Sequence, residues 1–206
     1  MNSERKKHWE TVYEIKNPSE VSWTQEIPEI SLAFIKSFAL NKTAKIIDIG
    51  GGDSKLVDHL LEQGFENITV LDISAKSLEK AKIRLGEKSS KVTWIVSDIL
   101  DFEPTETYDV WHDRAAFHFL TTDDEIERYK SIVKNSVNGN LVIGTFSDNG
   151  PLKCSGLQIT RYSDELLTST FENDFEKIDG LLVDHETPFG TTQNFLYCSF
   201  KNHLNY

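Results

Sequence analysis

The stretch "IIDIGGGDS", Ile46 to Ser54, sets three consecutive glycines behind an apolar run that contains one acid, Asp48. The run "AKIIDIG" has the length and make-up of a short buried strand. The following "SKLVDHLLEQG" has helical apolar spacing, with Ser54 as its expected cap and Gly64 as its stop. Strand, glycine turn and helix together open a βαβ unit. In an open parallel sheet, ligands sit beyond the C-terminal ends of the strands. Gly50, Gly51 and Gly52 are therefore expected where a ligand lies. Without Cβ atoms the backbone can approach that ligand closely, and glycine accepts the positive φ of a tight turn. The first N–H groups of the helix lack intrahelical partners and face the same place.

The same alternation continues along the chain. "NITVLDIS" reads as a second strand, "SAKSLEKAKIRLGEK" as a helix ending at Gly86, and "KVTWIVSDI" as a third strand. "TYDVWHDR" reads as a fourth strand, "TTDDEIERYKSIVKNSV" as a helix with Thr and Asp at its start, and "GNLVIGTF" as a fifth strand. Alternation of this kind means a parallel sheet covered on both faces. The tail differs. After a helix at "YSDELLTSTFEND", the strands "FEKIDGLLVDHETP" and "TQNFLYCSFKN" are joined by only a short turn, which forces an antiparallel pair. The expected fold is α/β and Rossmann-like. It is a doubly wound, seven-stranded, mostly parallel sheet in a three-layer αβα sandwich, with an antiparallel strand near one edge. With no internal repeat or linker, residues 1–206 read as a single domain. Residues 26–202 form its core, "IPEISLAFIKSFAL" being the first helix. The first 30 residues read as aromatic-rich and irregular.

Composition narrows the class. Lys plus Arg is 22 against 33 for Asp plus Glu, a formal charge of −11. Such an acidic surface repels phosphate backbones, so no nucleic-acid partner is expected. No stretch approaches the roughly 18 apolar residues of a membrane-spanning helix. "MNSERKKHWE" lacks the apolar core of a secretory signal. Cys154 and Cys198 have no metal-ligand or CxxC spacing, so no metal is expected and a reducing cytoplasm fits.

The glycine cluster admits competing nucleotide readings. A dinucleotide site wants G-x-G-x-x-G, but Lys55 stands at the last position; a P-loop's G-x-x-x-x-G-K-[ST] is absent. Two further acids help. Asp72 ends the second strand in "VLDIS", 22 residues after Gly50, where an acid accepts hydrogen bonds from ribose hydroxyls; Ile73 follows it. Asp98 ends the third strand in "VSDI" and suits an adenine amino group, with Ile99 against the ring. Each acid also has a plain reading as a helix cap. The fourth strand delivers His112, Asp113, Arg114 and His118 to the sheet's mouth, and the loop 147–162 after the fifth adds Cys154, Arg161 and Tyr162. These are candidate acceptor contacts. Asp113 and Arg114 can equally form a structural pair, and 147–162 can be a plain crossover loop. No G-x-S-x-G elbow supports acyl hydrolysis.

Taken in order, "DIGGGDS", Asp72 in "VLDIS", Asp98 in "SDI", "YDVWHDR" and "VNGNLVIGTF" resemble the motifs of class I S-adenosylmethionine-dependent methyltransferases. The resemblance covers about residues 26–202. Val137-Asn138 stand where that family usually has a proline. "HWETVYEIKNPSEVSW" is similar to the N-terminal segment of the methyltransferase-like group that includes protein-lysine methyltransferases, and other segments resemble uncharacterised bacterial members. The resemblance implies S-adenosylmethionine as cofactor. Asp48 and the glycine loop would hold its methionine end, with His112 nearby; Asp72 and Ile73 would hold the ribose, and Asp98 and Ile99 the adenine. It makes Trp9, Tyr13 and Trp23, within an N-terminal segment of about residues 1–25, a lid. The methyl acceptor would be a small molecule or a protein side chain. A nicotinamide-dependent reductase and a non-catalytic cofactor-binding subunit are the alternative readings.

Overall fold

The computed structural model describes residues 3–203. Its centre is a seven-stranded sheet. Five strands are parallel: β1 (Lys45–Ile49), β2 (Asn67–Asp72), β3 (Val92–Val96), β4 (Tyr108–Arg114) and β5 (Val137–Phe146). A two-stranded hairpin, β6 (Lys153–Cys154) and β7 (Leu157–Gln158), stands apart from the sheet. The last strands, β8 (Phe175–Glu186) and β9 (Thr192–Asn202), form an antiparallel pair, and β9 inserts against β5. The order is β3-β2-β1-β4-β5-β9-β8, so β9 is the one antiparallel strand and sits next to the edge.

The order reverses between β1 and its two neighbours, β2 and β4. That switch point is where the crossover helices leave on opposite faces and a crevice opens. The glycine loop after β1 stands above it.

Among the described residues six α-helices cover the sheet: α1 (Ser3–Ile15), α2 (Glu29–Ser37), α3 (Leu56–Glu62), α4 (Ala75–Leu85), α5 (Asp123–Ser136) and α6 (Asp164–Phe171). Alternate residues of a strand face opposite ways. Ile46 and Val110 thus meet Leu56, Leu60 and Leu78 on the α3/α4 side. Ile47, Trp111 and Leu141 meet Tyr129, Val133 and Leu167 on the α5/α6 side. A third cluster joins Phe34 of α2 to Phe146, Phe195 and Tyr197 above β5 and β9. Burying these faces, at about 25 cal/mol per Å² of apolar surface, is what drives the three layers together. No helix among the described residues is long and apolar enough to cross a membrane.

Three local expectations change. The segment read as irregular contains α1, whose Trp9, Val12 and Tyr13 form one apolar stripe at i, i+3 and i+4. The remaining positions are mostly charged, which hid the period. Ser54 is not the cap residue of α3: that place is taken by Lys55, and the Ser54 hydroxyl accepts the Leu56 N–H at 3.2 Å from one position earlier. The loop 147–162 is folded by the β6–β7 hairpin, turned through Ser155 and Gly156, both with positive φ.

Candidate active site

A cavity of about 200 Å³ lies over the C-terminal ends of β1, β2, β3 and β4. Its floor is the glycine loop, and each glycine is needed for a separate reason. Gly50 has φ +64°, and a Cβ there would lie 2.7 Å from the Ala116 Cβ. At Gly51 a Cβ would lie 2.6 Å from Asp48 Oδ2 and 2.7 Å from Val70 Cγ1. Gly52 has φ +48° and backs onto the Tyr13 hydroxyl and Asp72. The loop is braced from outside by Arg84 of α4. Its guanidinium donates to the carbonyls of Asp53 (2.7 Å) and Ser54 (2.8 Å) while pairing with Asp58.

Three buried carboxylates reach the cavity, one from each neighbouring strand end: Asp48, Asp72 and Asp98. The register pairs Asp48 with His112 across β1 and β4. Asp48 Oδ1 is 2.7 Å from His112 Nδ1, and His112 Nε2 is 2.8 Å from the Ser31 hydroxyl. With neutral imidazole, Nδ1–H donates to Asp48 and Nε2 accepts from Ser31. All three groups are buried. Asp72 accepts the Ser74 N–H at 2.8 Å. Burial pushes its carboxyl up to about 7, against the pull of Ser74 and Ser77 and with the charges of Asp53 and Asp48 adding to the rise. Asp98 accepts the Leu100 N–H at 3.1 Å and lies 3.5 Å from Arg5 Nη1.

The roof is aromatic. Trp9 packs edge-on to Trp23 (5.7 Å between centroids) and Phe119 (5.1 Å), and Tyr13 meets Trp23 at 6.3 Å. Glu10 pins α1 down: it accepts from Ala75 N (2.8 Å), Lys76 N (3.2 Å) and the Ser74 hydroxyl (2.9 Å), capping α4. Burial alone would raise the Glu10 carboxyl; these hydrogen bonds outweigh it and hold it below its ordinary value.

Residues 46–136, the stretch from β1 to the end of α5, match the family described as a methyltransferase domain. That stretch is similar to the methyltransferase domain. The cofactor of that family is S-adenosylmethionine. Among curated relatives, the malonyl-[acyl-carrier protein] O-methyltransferase of Anoxybacillus flavithermus is 33% identical over 105 residues, covering 50% of this chain and 39% of that protein. The mouse eEF1A lysine and N-terminal methyltransferase is 25% identical over 122 residues, covering 57% of this chain and 17% of that one. The match thus spans well under half the length of either relative. Among solved structures, the N-methyltransferase NodS of Bradyrhizobium japonicum, in complex with S-adenosylhomocysteine, superposes with a TM-score of 0.72 at 15% identity. That superposition covers 94% of this chain and 98% of NodS, and shows a shared fold.

The cavity gathers Trp9, Tyr13, Trp23, Asp48, Gly50, Gly51, Asp72, Ile73, Asp98, Ile99 and His112 from the sequence reading, together with Arg114 and Cys154. Gly52 supports the wall from behind. Burial pushes the Cys154 thiol up to about 12, so it is neutral.

Four candidate acceptor contacts lie elsewhere. Asp113 alternates with His112 and Arg114 and so faces α5, where it accepts from Ala116 N, Phe117 N and the Tyr129 hydroxyl. It shapes the turn after β4 and makes no pair with Arg114. Burial raises it to about 6. His118 is fully buried between Phe119 and Phe146, and burial drops it to about 3. Arg161 donates to the carbonyls of Asp148 (2.6 Å) and Gly150 (3.3 Å), holding its own loop. Tyr162 packs on Phe117 in the core.

Ser31, Arg84, Glu10 and Arg5 escaped the sequence reading. Each reaches the site from a helix surface through a long-range contact that no local motif encodes. The one faint signal is Glu10, which lies between the two aromatics of "HWETVY".

Proposed function

We propose that this chain is an S-adenosylmethionine-dependent methyltransferase acting on a small molecule or a protein side chain. One observation carries the reading: three adjacent strand ends each present a buried carboxylate to one cavity, around a loop that has no room for a Cβ at Gly50 or Gly51. The residues fit the group. Asp72, buried with a raised carboxyl, gains two hydroxyl donors from a ribose and Ile73 flanks it. Asp98 accepts from an adenine amino group beside Ile99. Asp48 has Oδ1 committed to His112, leaving Oδ2 for the methionine ammonium, while loop N–H groups take its carboxylate. Trp9, Tyr13 and Trp23 close over the whole.

When bound, the cofactor supplies a methyl already activated on a sulfonium. The chain's own work is alignment and exclusion of water. The aromatic roof and the glycine floor do both, so no dedicated base is required. Two named relatives span the acceptor range: one is a malonyl-[acyl-carrier protein] O-methyltransferase, the other a lysine and N-terminal methyltransferase. The two cysteines are free and buried, which suits a reducing compartment such as the cytoplasm.

Isothermal titration with S-adenosylhomocysteine tests the reading. Binding is expected for the wild type and is expected to weaken at least tenfold in Asp72→Ala. No heat at high ligand concentration, or an unchanged Asp72→Ala, sinks it.

A further inference from the structure

Four cationic side chains line the cavity, and three are neutralised. Arg5 pairs with Asp98 and Glu125, Lys55 with Glu26, and Arg84 with Asp58. Arg114 differs. It leaves the end of β4 and donates Nε–H to the Tyr197 hydroxyl (2.8 Å) and Nη1–H to the Trp23 carbonyl (2.9 Å). Its guanidinium stacks over the Phe195 ring at 4.9 Å. All these partners are neutral. Among the described residues no carboxylate pairs with it, and Nη2 is buried with no acceptor at all.

Its other neighbours are neutral as well. His118 is held at about 3, first by burial and then by the Arg114 charge. His185 is lowered for the same two reasons, in the same order. The Cys154 thiol stays protonated. A cation enclosed in this way with an unused N–H is costly unless an anion meets it. The guanidinium is held on three sides, so the free N–H has a fixed direction. Planar, fixed guanidinium donors are suited to carboxylate and phosphate oxygens.

Position says which ligand. Arg114 lies on the β5/β9 side of β1, whereas Asp72 and Asp98 lie on the β2/β3 side. It therefore lies across β1 from both acids and lines the cavity together with Trp23, Ala115, Phe119 and Cys154. We propose that Arg114 Nη2 anchors an oxyanion of the methyl acceptor, so that the acceptor is an acid: a carboxylate in the first instance, or a phosphate monoester. This rests on the methyltransferase reading above and narrows its acceptor. The cofactor has a carboxylate of its own, and the test below separates that occupant from the acceptor.

The test titrates acetate, succinate and inorganic phosphate into the protein at constant ionic strength, with chloride as control. It reads tryptophan fluorescence with and without saturating S-adenosylhomocysteine. Saturable binding beyond chloride is expected, weakened at least tenfold in Arg114→Gln and only severalfold in Arg114→Lys. S-Adenosylhomocysteine affinity is expected to fall severalfold at most, through the lost Arg114 contact to the Trp23 carbonyl, and by less than the anion affinity in Arg114→Gln. If Arg114→Gln does not fold, Tyr197→Phe serves; it keeps the charge, frees the guanidinium to turn, and is expected to weaken the anion severalfold. No anion response in the wild type, or an equal response in Arg114→Gln, overturns the proposal. So does a variant that loses S-adenosylhomocysteine but keeps 5′-methylthioadenosine, because Arg114 would then serve the cofactor's carboxylate. Failure of S-adenosylhomocysteine to bind the wild type strikes the methyltransferase reading instead. The titration without it still reports on Arg114.

Discussion

Glu10 accepts the backbone N–H of Ala75 at 2.8 Å, so the first helix of the chain caps the helix that follows Asp72. The aromatic roof and the strand end at Asp72 are thereby one mechanical unit. Glu10→Ala removes three hydrogen bonds from the start of α4 and one anchor from α1. A lost cap costs about 1 kcal/mol. The larger expected effect is on exchange: S-adenosylhomocysteine should leave severalfold faster, because α1 must lift for it to go. Glu10→Gln keeps an acceptor oxygen and should fall between. Stopped-flow tryptophan fluorescence measures the off-rate. An off-rate equal to wild type in Glu10→Ala would show that α1 is not a lid.

Gly51→Ala should be the most damaging small change in the floor. The new Cβ would press on Asp48 Oδ2 and Val70 Cγ1, and Asp48 cannot swing away because His112 holds its other oxygen. Overpacking of this kind costs about 1–3 kcal/mol. Affinity for S-adenosylhomocysteine is expected to fall at least 100-fold. Gly190→Ala is the control. Its φ is positive, +73°, which that of Gly51 is not, but its Cβ would meet nothing within 4 Å, so it carries backbone strain without a steric clash. It should lose about 1 kcal/mol of stability and leave binding alone. Calorimetry on both variants decides; equal binding losses would mean that the Cβ conflict at Gly51 is not what weakens binding.

The sheet was legible because each strand and helix carries its own period, and because the "FGT" turn between β8 and β9 is too short for anything but an antiparallel pair. Strand-end acids were legible for a related reason: Asp72 and Asp98 stand where an apolar run stops, and Asp48 one residue before its run ends at Ile49, positions that topology alone sends to the C-terminal ends of the strands. What the sequence hid was direction and long-range pairing. Asp113, between His112 and Arg114, was grouped with them although strand alternation turns it the other way. His118 is a polar residue whose burial between Phe119 and Phe146 no local pattern marks. Ser31 and Arg84 act across 81 and 30 residues of chain. Such contacts exist only once the layers have packed.

His112 and Ser31 give a prediction about that packing. His112→Leu leaves the Asp48 carboxylate without its partner in a buried site, which costs about 1–3 kcal/mol and frees Asp48 to rotate. S-Adenosylhomocysteine affinity should drop about tenfold, by the arithmetic of roughly 1.4 kcal/mol per decade. Ser31→Ala removes only the far end of the chain and should cost about 1 kcal/mol of stability with little effect on binding. Because the three groups form one network, the double variant should lose less than the sum of the singles. Urea unfolding of the four proteins tests this. Strict additivity would mean that Ser31 and His112 do not act through each other.

With Asp72 on the ribose, as proposed, cofactor binding should depend on pH. In the free protein its carboxyl titrates at about 7, chiefly through burial. Two ribose hydroxyls, one to each oxygen, are accepted better by the ionised form than by the acid, one of whose oxygens carries a proton, so binding favours the carboxylate and lowers its pKa in the complex. Below pH 7 the free protein must lose a proton to bind. Affinity for S-adenosylhomocysteine should therefore be flat above about pH 8 and fall towards tenfold per pH unit below 7, one proton being released per ligand. Titration calorimetry in two buffers of different ionisation enthalpy counts that proton. Asp113, raised to about 6, titrates in the same window, but it faces α5 rather than the cavity. Asp72→Asn separates the two: it should bind weakly and show no proton release between pH 5.5 and 8. Wild-type affinity that is constant across that range would remove Asp72 from the ribose.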